Sequence, residues 1–273
     1  MTTCSDASLA LCEPLAGTAT HARRFLLVEV AGAWGRDPVA DTPLPSGVKE
    51  VLEGFDGRVL FIRRPGAGKG TQVFLAELDE RHPSGGTLAG LRVPHLADLA
   101  DVELGDLLPA AGPLVVVCTH GKRDACCSRL GTSLFTALAP HVAAERLWQS
   151  SHQGGHRFAP CVVVLPHGTQ FGRVDPAAAE AFAATVDAGL IPLDAYRGRV
   201  VLEAPAQAAE VAIRLKQGWR TLDGITLLPG DPLRFQTPSG IVTAAVEQMD
   251  GVPQPASCGA DLAAQPRFDV RLL

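Results

Sequence analysis

Residues 114–118 read LVVVC and residues 158–165 read FAPCVVVL, two short runs with almost no polar side chain. Successive residues of a strand point to opposite faces, so a strand apolar at every position is covered on both sides. Both segments are therefore expected as central strands of a sheet beneath helices. Arg129–Leu138, after the first run, carries Leu130, Leu134, Phe135 and Leu138 at helical spacing. An α/β architecture follows. The first run ends on Cys118, and the loops that leave parallel strands are where such folds hold ligands.

Arg24–Val30, Gly57–Arg64 and Thr71–Leu78 are expected strands, with a helix over Ser46–Gly54. Residues 82–94 form a Pro/Gly-rich stretch, and Leu108–Pro113 a linker. Arg146–Ser151 reads as a short strand or loop. Pro176–Ala188 is an Ala-rich helix with Pro in its first turn, and Pro205–Gln217 a further helix. Tyr196–Gly198 reads as a turn, and Ile225–Leu228 with Gly240–Val246 as a terminal hairpin. The expected organisation is an N-terminal α/β domain over 1–107, a second domain over 108–250 and a C-terminal tail over 251–273. The two domains could be two copies of one plan.

Composition excludes several classes. A net charge of −5, with no basic run of five or more, argues against a nucleic-acid binder and is compatible with docking to a basic redox partner. The N-terminus has no positively charged region, and no apolar run approaches a membrane span, so the expected location is the cytosol. Seven cysteines in 273 residues are too sparse for a secreted disulfide scaffold. Cys4, Cys12, Cys161 and Cys258 lack ligand-like spacing and are expected as small buried or surface residues. Arg64–Gln72, RPGAGKGTQ, imitates a phosphate loop but has Arg63 and Gly70 where the pattern needs Gly and Ser or Thr.

Chemistry concentrates in CTHGKRDACC, from Cys118 to Cys127, and SHQGGHRFAP, which carries His152 and His156. Two thiolates and two imidazoles suit zinc, and equally a 2Fe-2S cluster with mixed ligation. The helix after Cys127 would stabilise a thiolate with its N-terminal amides. Gly154 and Gly155 argue against a helical zinc face, since Gly costs about 1 kcal/mol per residue in a helix. They favour a loop that aims both rings at one object. From the residues alone a metal site, a redox-active dithiol at Cys126-Cys127, and no site at all stay open.

The two segments together resemble the sucrase/ferredoxin-like family, and the likeness extends to CEPLAGTATHARRFLLVE and GAWGRD in the amino-terminal half. The resemblance implies a thioredoxin-like ferredoxin over the second domain, preceded by a smaller α/β domain that is a candidate divergent relative of it. It also implies Cys118, Cys127, His152 and His156 as ligands of a 2Fe-2S cluster, with Cys126 a non-ligand. Imidazole ligation would raise the potential above that of an all-Cys cluster. His120, Lys122, Arg123 and Arg157 are candidates for tuning the cluster or steering a partner, and Trp148 for shielding it. The implied function is one-electron transfer or redox sensing with an unidentified protein partner, rather than an enzyme with its own substrate pocket. The rivals are a zinc-stabilised thioredoxin-like binding module and a thiol–disulfide oxidoreductase, although Cys-x-x-Cys is lacking. Nothing in the sequence resembles a glycosidase site.

Overall fold

The apolar run Leu114–Cys118 is buried along its whole length, in the middle of a ten-stranded mixed sheet. The computed structural model describes residues 3–66 and 68–273. Along the chain, α1 (Cys4–Ala10) precedes β1 (Arg24–Glu29), α2 (Pro38–Asp41), α3 (Ser46–Glu53), β2 (Arg58–Arg63), β3 (Thr71–Leu78), β4 (Gly86–Val93) and β5 (Leu108–Pro109). Then come β6 (Leu114–Cys118), α4 (Ala125–Leu138), β7 (Leu147–Ser150), β8 (Val162–Leu165), β9 (Thr169–Phe171), α5 (Ala179–Asp187), β10 (Tyr196–Arg199) and α6 (Ala204–Gln217). The final segment holds β11 (Thr226–Leu228), β12 (Leu233–Thr237), β13 (Gly240–Asp250), β14 (Gln254–Pro255), β15 (Leu262–Ala263) and β16 (Pro266–Leu272).

The sheet order is β10-β9-β8-β6-β7-β2-β1-β3-β4-β5. Two stretches of it share one plan. In each, the first strand runs parallel to the second (β1 with β2, β6 with β7), and a third strand pairs antiparallel on the first strand's other side (β3, β8). A fourth strand then pairs antiparallel with the third (β4, β9). A helix lies between the parallel pair in sequence, α3 in one and α4 in the other, as a parallel connection requires. The two units meet where β2 pairs antiparallel with β7, through Ile62 with Ser150 and Arg63 with Gln149.

Alternation along β6 divides the core. Val115 and Val117 pack with Leu134 and Leu138 of α4 and Phe182 and Val186 of α5. Leu114 and Val116 face the other way, toward Trp148, Ala209 and Ile213 of α6, and Phe235 of the small sheet β11-β12-β13-β16. A third cluster, with Leu26, Val48, Leu52 and Leu99, closes the outer face of the first unit. Among the described residues no helix is long and apolar enough to cross a membrane.

Several elements depart from the expected reading. The Pro/Gly-rich stretch 82–94 contains β4, whose Gly86 and Gly90 hid its strand character; at Gly90 an added Cβ would lie 2.9 Å from the Phe74 ring. Tyr196–Gly198 is not a turn but the start of β10, with an irregularity between Tyr196 and Gly198. Residues 251–273 hold three strands, and β16 pairs along β13 from Ala244 to Asp250. α1 and its sequel pack on the second unit, with Ser5 Oγ donating to the Ala159 carbonyl and Gly17 N–H to that of Arg197. Within Arg64–Gln72, Ala67 lies outside the described residues, while Thr71 and Gln72 open β3 as expected.

Candidate metal centre

β6 delivers Cys118 to the end of the sheet. The Cys118 amide donates to the Cys161 carbonyl at 3.0 Å, and Thr119 N–H to that of Ser150, so the cysteine is fixed by both neighbouring strands. The following loop ends at Asp124, whose Oδ1 accepts the Cys126 amide at 2.8 Å and caps α4. α4 therefore begins at Ala125, four residues before its expected start, and places Cys126 and Cys127 in its first turn. An added Cβ at Gly131 would lie 1.9 Å from the Cys118 carbonyl oxygen. That glycine lets α4 sit directly on the end of β6, and so lets Cys127 reach Cys118.

The histidine loop leaves β7, the parallel neighbour of β6. Gly154 and Gly155 both have positive φ, 95° and 72°, and pack against Thr20 and Arg197 where a side chain would clash. The loop turns back, and His156 opens a single 3₁₀ turn through Phe158. The imidazoles of His152 and His156 face each other with ring centroids 4.8 Å apart.

Donor atoms of Cys118, Cys127 and His152 all lie within 4.8 Å of one another. His156 stands outside that group of three but against the His152 ring. Nδ1 of His152 and Nδ1 of His156 are both buried without a hydrogen-bond partner. Buried polar atoms of this kind are normally satisfied, so two of them beside two thiols mark a place for a ligand. Asp124 Oδ2 lies 3.8 Å from His156 Nε2, a charge contact longer than a hydrogen bond.

The electrostatics favour one thiolate. The Cys118 thiol is held well below its ordinary pKa, chiefly by a hydrogen bond with Cys127, and also by His152 and the His120 amide, against the cost of burial. The same Cys118–Cys127 bond, with burial, pushes Cys127 up. Burial pushes the His156 imidazole down, toward the neutral form a metal ligand needs. Beneath the pair, Phe158 carries three guanidinium groups, those of Arg157, Arg197 and Arg173, at 4.4, 5.1 and 5.3 Å from its ring centroid. Arg197 is buried, and desolvation lowers its pKa to about 10.

A family model described as sucrase/ferredoxin-like matches residues 15–198. The chain belongs to the sucrase/ferredoxin-like family. Altered inheritance of mitochondria protein 32 from the yeast Meyerozyma guilliermondii is 33% identical over 97 residues. That match covers 32% of this chain and 34% of the relative, so it spans about a third of the relative's length. No solved structure matches the chain.

The remaining residues singled out in this family member divide clearly. His120 is buried in the Cys loop, its Nε2 2.8 Å from the Gly35 carbonyl oxygen and its ring edge-on to Trp34. Lys122 and Arg123 are exposed. Arg157 pairs with Glu13 at 2.9 Å. Trp148 serves the core, its ring against Phe74 and Arg64 and its indole N–H donating to the Glu145 carbonyl. Arg58 of the first unit went unnoticed in the sequence, yet it donates to the His152 carbonyl at 3.3 Å. No local pattern marks it, because its place depends on the β2–β7 junction. Cys161 is a small buried residue as expected, its thiol pushed up to about 12 by burial, and Cys12 is exposed. Cys126, Cys4 and Cys258 form a second group with Asp124. The vicinal cysteines thus send their sulfurs to different places.

Proposed function

We propose that this chain holds a 2Fe-2S cluster on Cys118, Cys127, His152 and His156 and exchanges single electrons with a protein partner. The observation that carries the reading is the meeting of two buried thiols with His152 in one group of donors, with the His156 ring 4.8 Å from that of His152 and both Nδ1 atoms without a partner. Such a cluster supplies a one-electron centre, and neutral imidazole ligands in place of thiolates raise its potential. The chain's own groups fit that task. Cys118 already favours the thiolate. Asp124 sets a carboxylate 3.8 Å from the second imidazole. The Phe158 shell, with its three guanidinium groups, sets positive charge near a centre that would gain negative charge on reduction.

We read both four-stranded units as thioredoxin-like, the second carrying the cluster and the first a relative without ligands. The shared strand order supports this. His152 opens toward a surface cavity of about 250 Å³ that is also lined by Arg36, Asp37, Arg58 and Arg123. A shallow groove beside a ligand suits a docking partner. The closeness of three donors is also what a single zinc ion takes, and colour separates the two.

Anaerobic purification of the full chain, followed by iron and acid-labile sulfide analysis and EPR of the reduced protein, tests the reading. The expected result is a brown protein with two iron and two sulfide per chain. Cys118→Ala and Cys127→Ala should each lose the iron. A colourless protein with zinc on these residues overturns the cluster.

A further inference from the structure

We propose that Cys4, Cys126, Cys258 and Asp124 form a second, separate metal site that takes one zinc ion. The three sulfurs form a nearly equilateral triangle, with Cys4–Cys126 at 3.6 Å, Cys126–Cys258 at 3.5 Å and Cys258–Cys4 at 3.6 Å. The Asp124 carboxylate oxygens lie 3.8 and 3.7 Å from Cys4 Sγ. All four donors fall within 4.8 Å of one another. They arrive from the first helix, the start of α4 and the segment between β14 and β15, with 122, 132 and 254 residues separating the cysteine pairs. No spacing rule applied to the sequence would have grouped them.

The distances discriminate between chemistries. A disulfide needs its sulfurs about 2.05 Å apart, and three cysteines always leave one unpaired. A tetrahedral zinc with Zn–S bonds of about 2.3 Å sets its thiolates about 3.8 Å apart, close to the observed edges. Three neutral thiols in contact would gain little, because S–H is a weak donor and sulfur a weak acceptor. Cys4, Cys126 and Asp124 are buried, at 0%, 1% and 4% exposure, so the cluster is an interior feature. Cys258 lies at its exposed side, which gives the ion a way in.

Asp124 is oriented before any ion arrives. Its Oδ1 accepts the Cys126 amide and its Oδ2 the Cys258 amide, each at 2.8 Å. Three thiolates and a carboxylate fill all four positions of a tetrahedral ion and leave none open for a substrate, as in a structural rather than a catalytic site. Such an ion would fasten α1 and the C-terminal segment onto the first turn of α4. The same carboxylate stands 3.8 Å from His156, so the ion would lie beside the centre described above. The assignment does not rest on what that centre holds.

Metal analysis of the full chain by mass spectrometry tests it. The expected wild-type content is one zinc per chain in addition to the iron. Cys258→Ser, at an exposed position, and Cys4→Ser should lose the zinc and keep the iron and sulfide. Cys118→Ala should do the reverse, which separates failure at one site from failure at the other. Cobalt exchanged into wild-type protein under anaerobic conditions should give the intense visible bands of a tetrahedral thiolate complex in the difference against the zinc form. This readout needs no variant to fold. Zinc content unchanged in Cys4→Ser and Cys258→Ser overturns the site. So does copper or iron bound in its place, a disulfide among the three cysteines in freshly isolated protein, or a weak octahedral cobalt spectrum.

Discussion

At the scale of single residues, the centre depends on which atoms lack partners. His120, His152 and His156 all keep Nδ1 buried and unsatisfied, but the His120 ring is tied to the Gly35 carbonyl through Nε2 and packs on Trp34, whereas His152 joins Cys118 and Cys127 and His156 lies against its ring. That difference leads to a prediction. In His156→Cys a thiolate replaces a neutral imidazole, so the chain should still bind iron, while protein-film voltammetry should find the potential lower by on the order of a hundred millivolts or more. An unchanged potential would remove His156 from the ligand set. Cys118, Cys127 and the two histidines could be singled out in the sequence as candidates because each pair sits in one short segment beside a central strand, although the residues alone left Cys126 and Cys127 undecided. Cys4 and Cys258 were not, because only the docking of both chain ends onto α4 brings them together. Asp124 left a faint signal as the polar residue before an apolar helix.

At the scale of elements, the placement of α4 decides whether Cys127 can reach Cys118. Gly131→Ala would drive a methyl into the Cys118 carbonyl, at a separation that no rotamer change relieves. Overpacking of this kind costs roughly 1–3 kcal/mol. Denaturant unfolding should show that loss together with reduced iron content, since helix and cysteine move as one. α6 offers a second case. Glu210 is buried between Arg199 and Arg214, at 3.0 and 2.8 Å. Burial alone would raise its carboxyl pKa, but the two guanidinium groups override this and hold it below the ordinary 4.5. A depressed carboxylate contributes stability that is present above its unfolded-state pKa and lost as pH falls through the folded one. Glu210→Gln leaves two buried arginines without their anion and should cost about 3–5 kcal/mol near neutral pH. Unfolding measured from pH 7 to below 4 should show the gap between variant and wild type closing in acid. The central strands were legible because burial on both faces writes itself into every residue. β4 and β10 were not, because their glycines serve close packing and carry no hydrophobic signal.

At the scale of the whole molecule, the junction of the two units makes the site a joint product. β2 pairs with β7, and this brings Arg58 to the His152 carbonyl and the Trp34–Gly35 segment to His120. The repeat of one plan in the two halves could be glimpsed in the sequence. The charge at the mouth of the site could not, because it is assembled across this junction. The chain carries −5 overall, a charge compatible with a basic partner. Yet the cavity beside His152 gathers Arg36, Arg58 and Arg123 against Asp37 alone, and Lys122 is exposed on the adjoining loop. An approaching molecule meets this local field at the point of electron transfer, and fields of that kind change association rates by tenfold or more at low salt. Reduced protein should therefore react faster with hexacyanoferrate(III), an anion, than its net charge predicts, and added salt should slow that reaction. The double variant Arg36→Glu/Arg123→Glu should lower the rate by on the order of tenfold while raising the rate with the hexaammineruthenium(III) cation. These two arginines are exposed, so the iron content should stay at the wild-type level. Equal rates for the two proteins with both oxidants would show that electrons leave by another face.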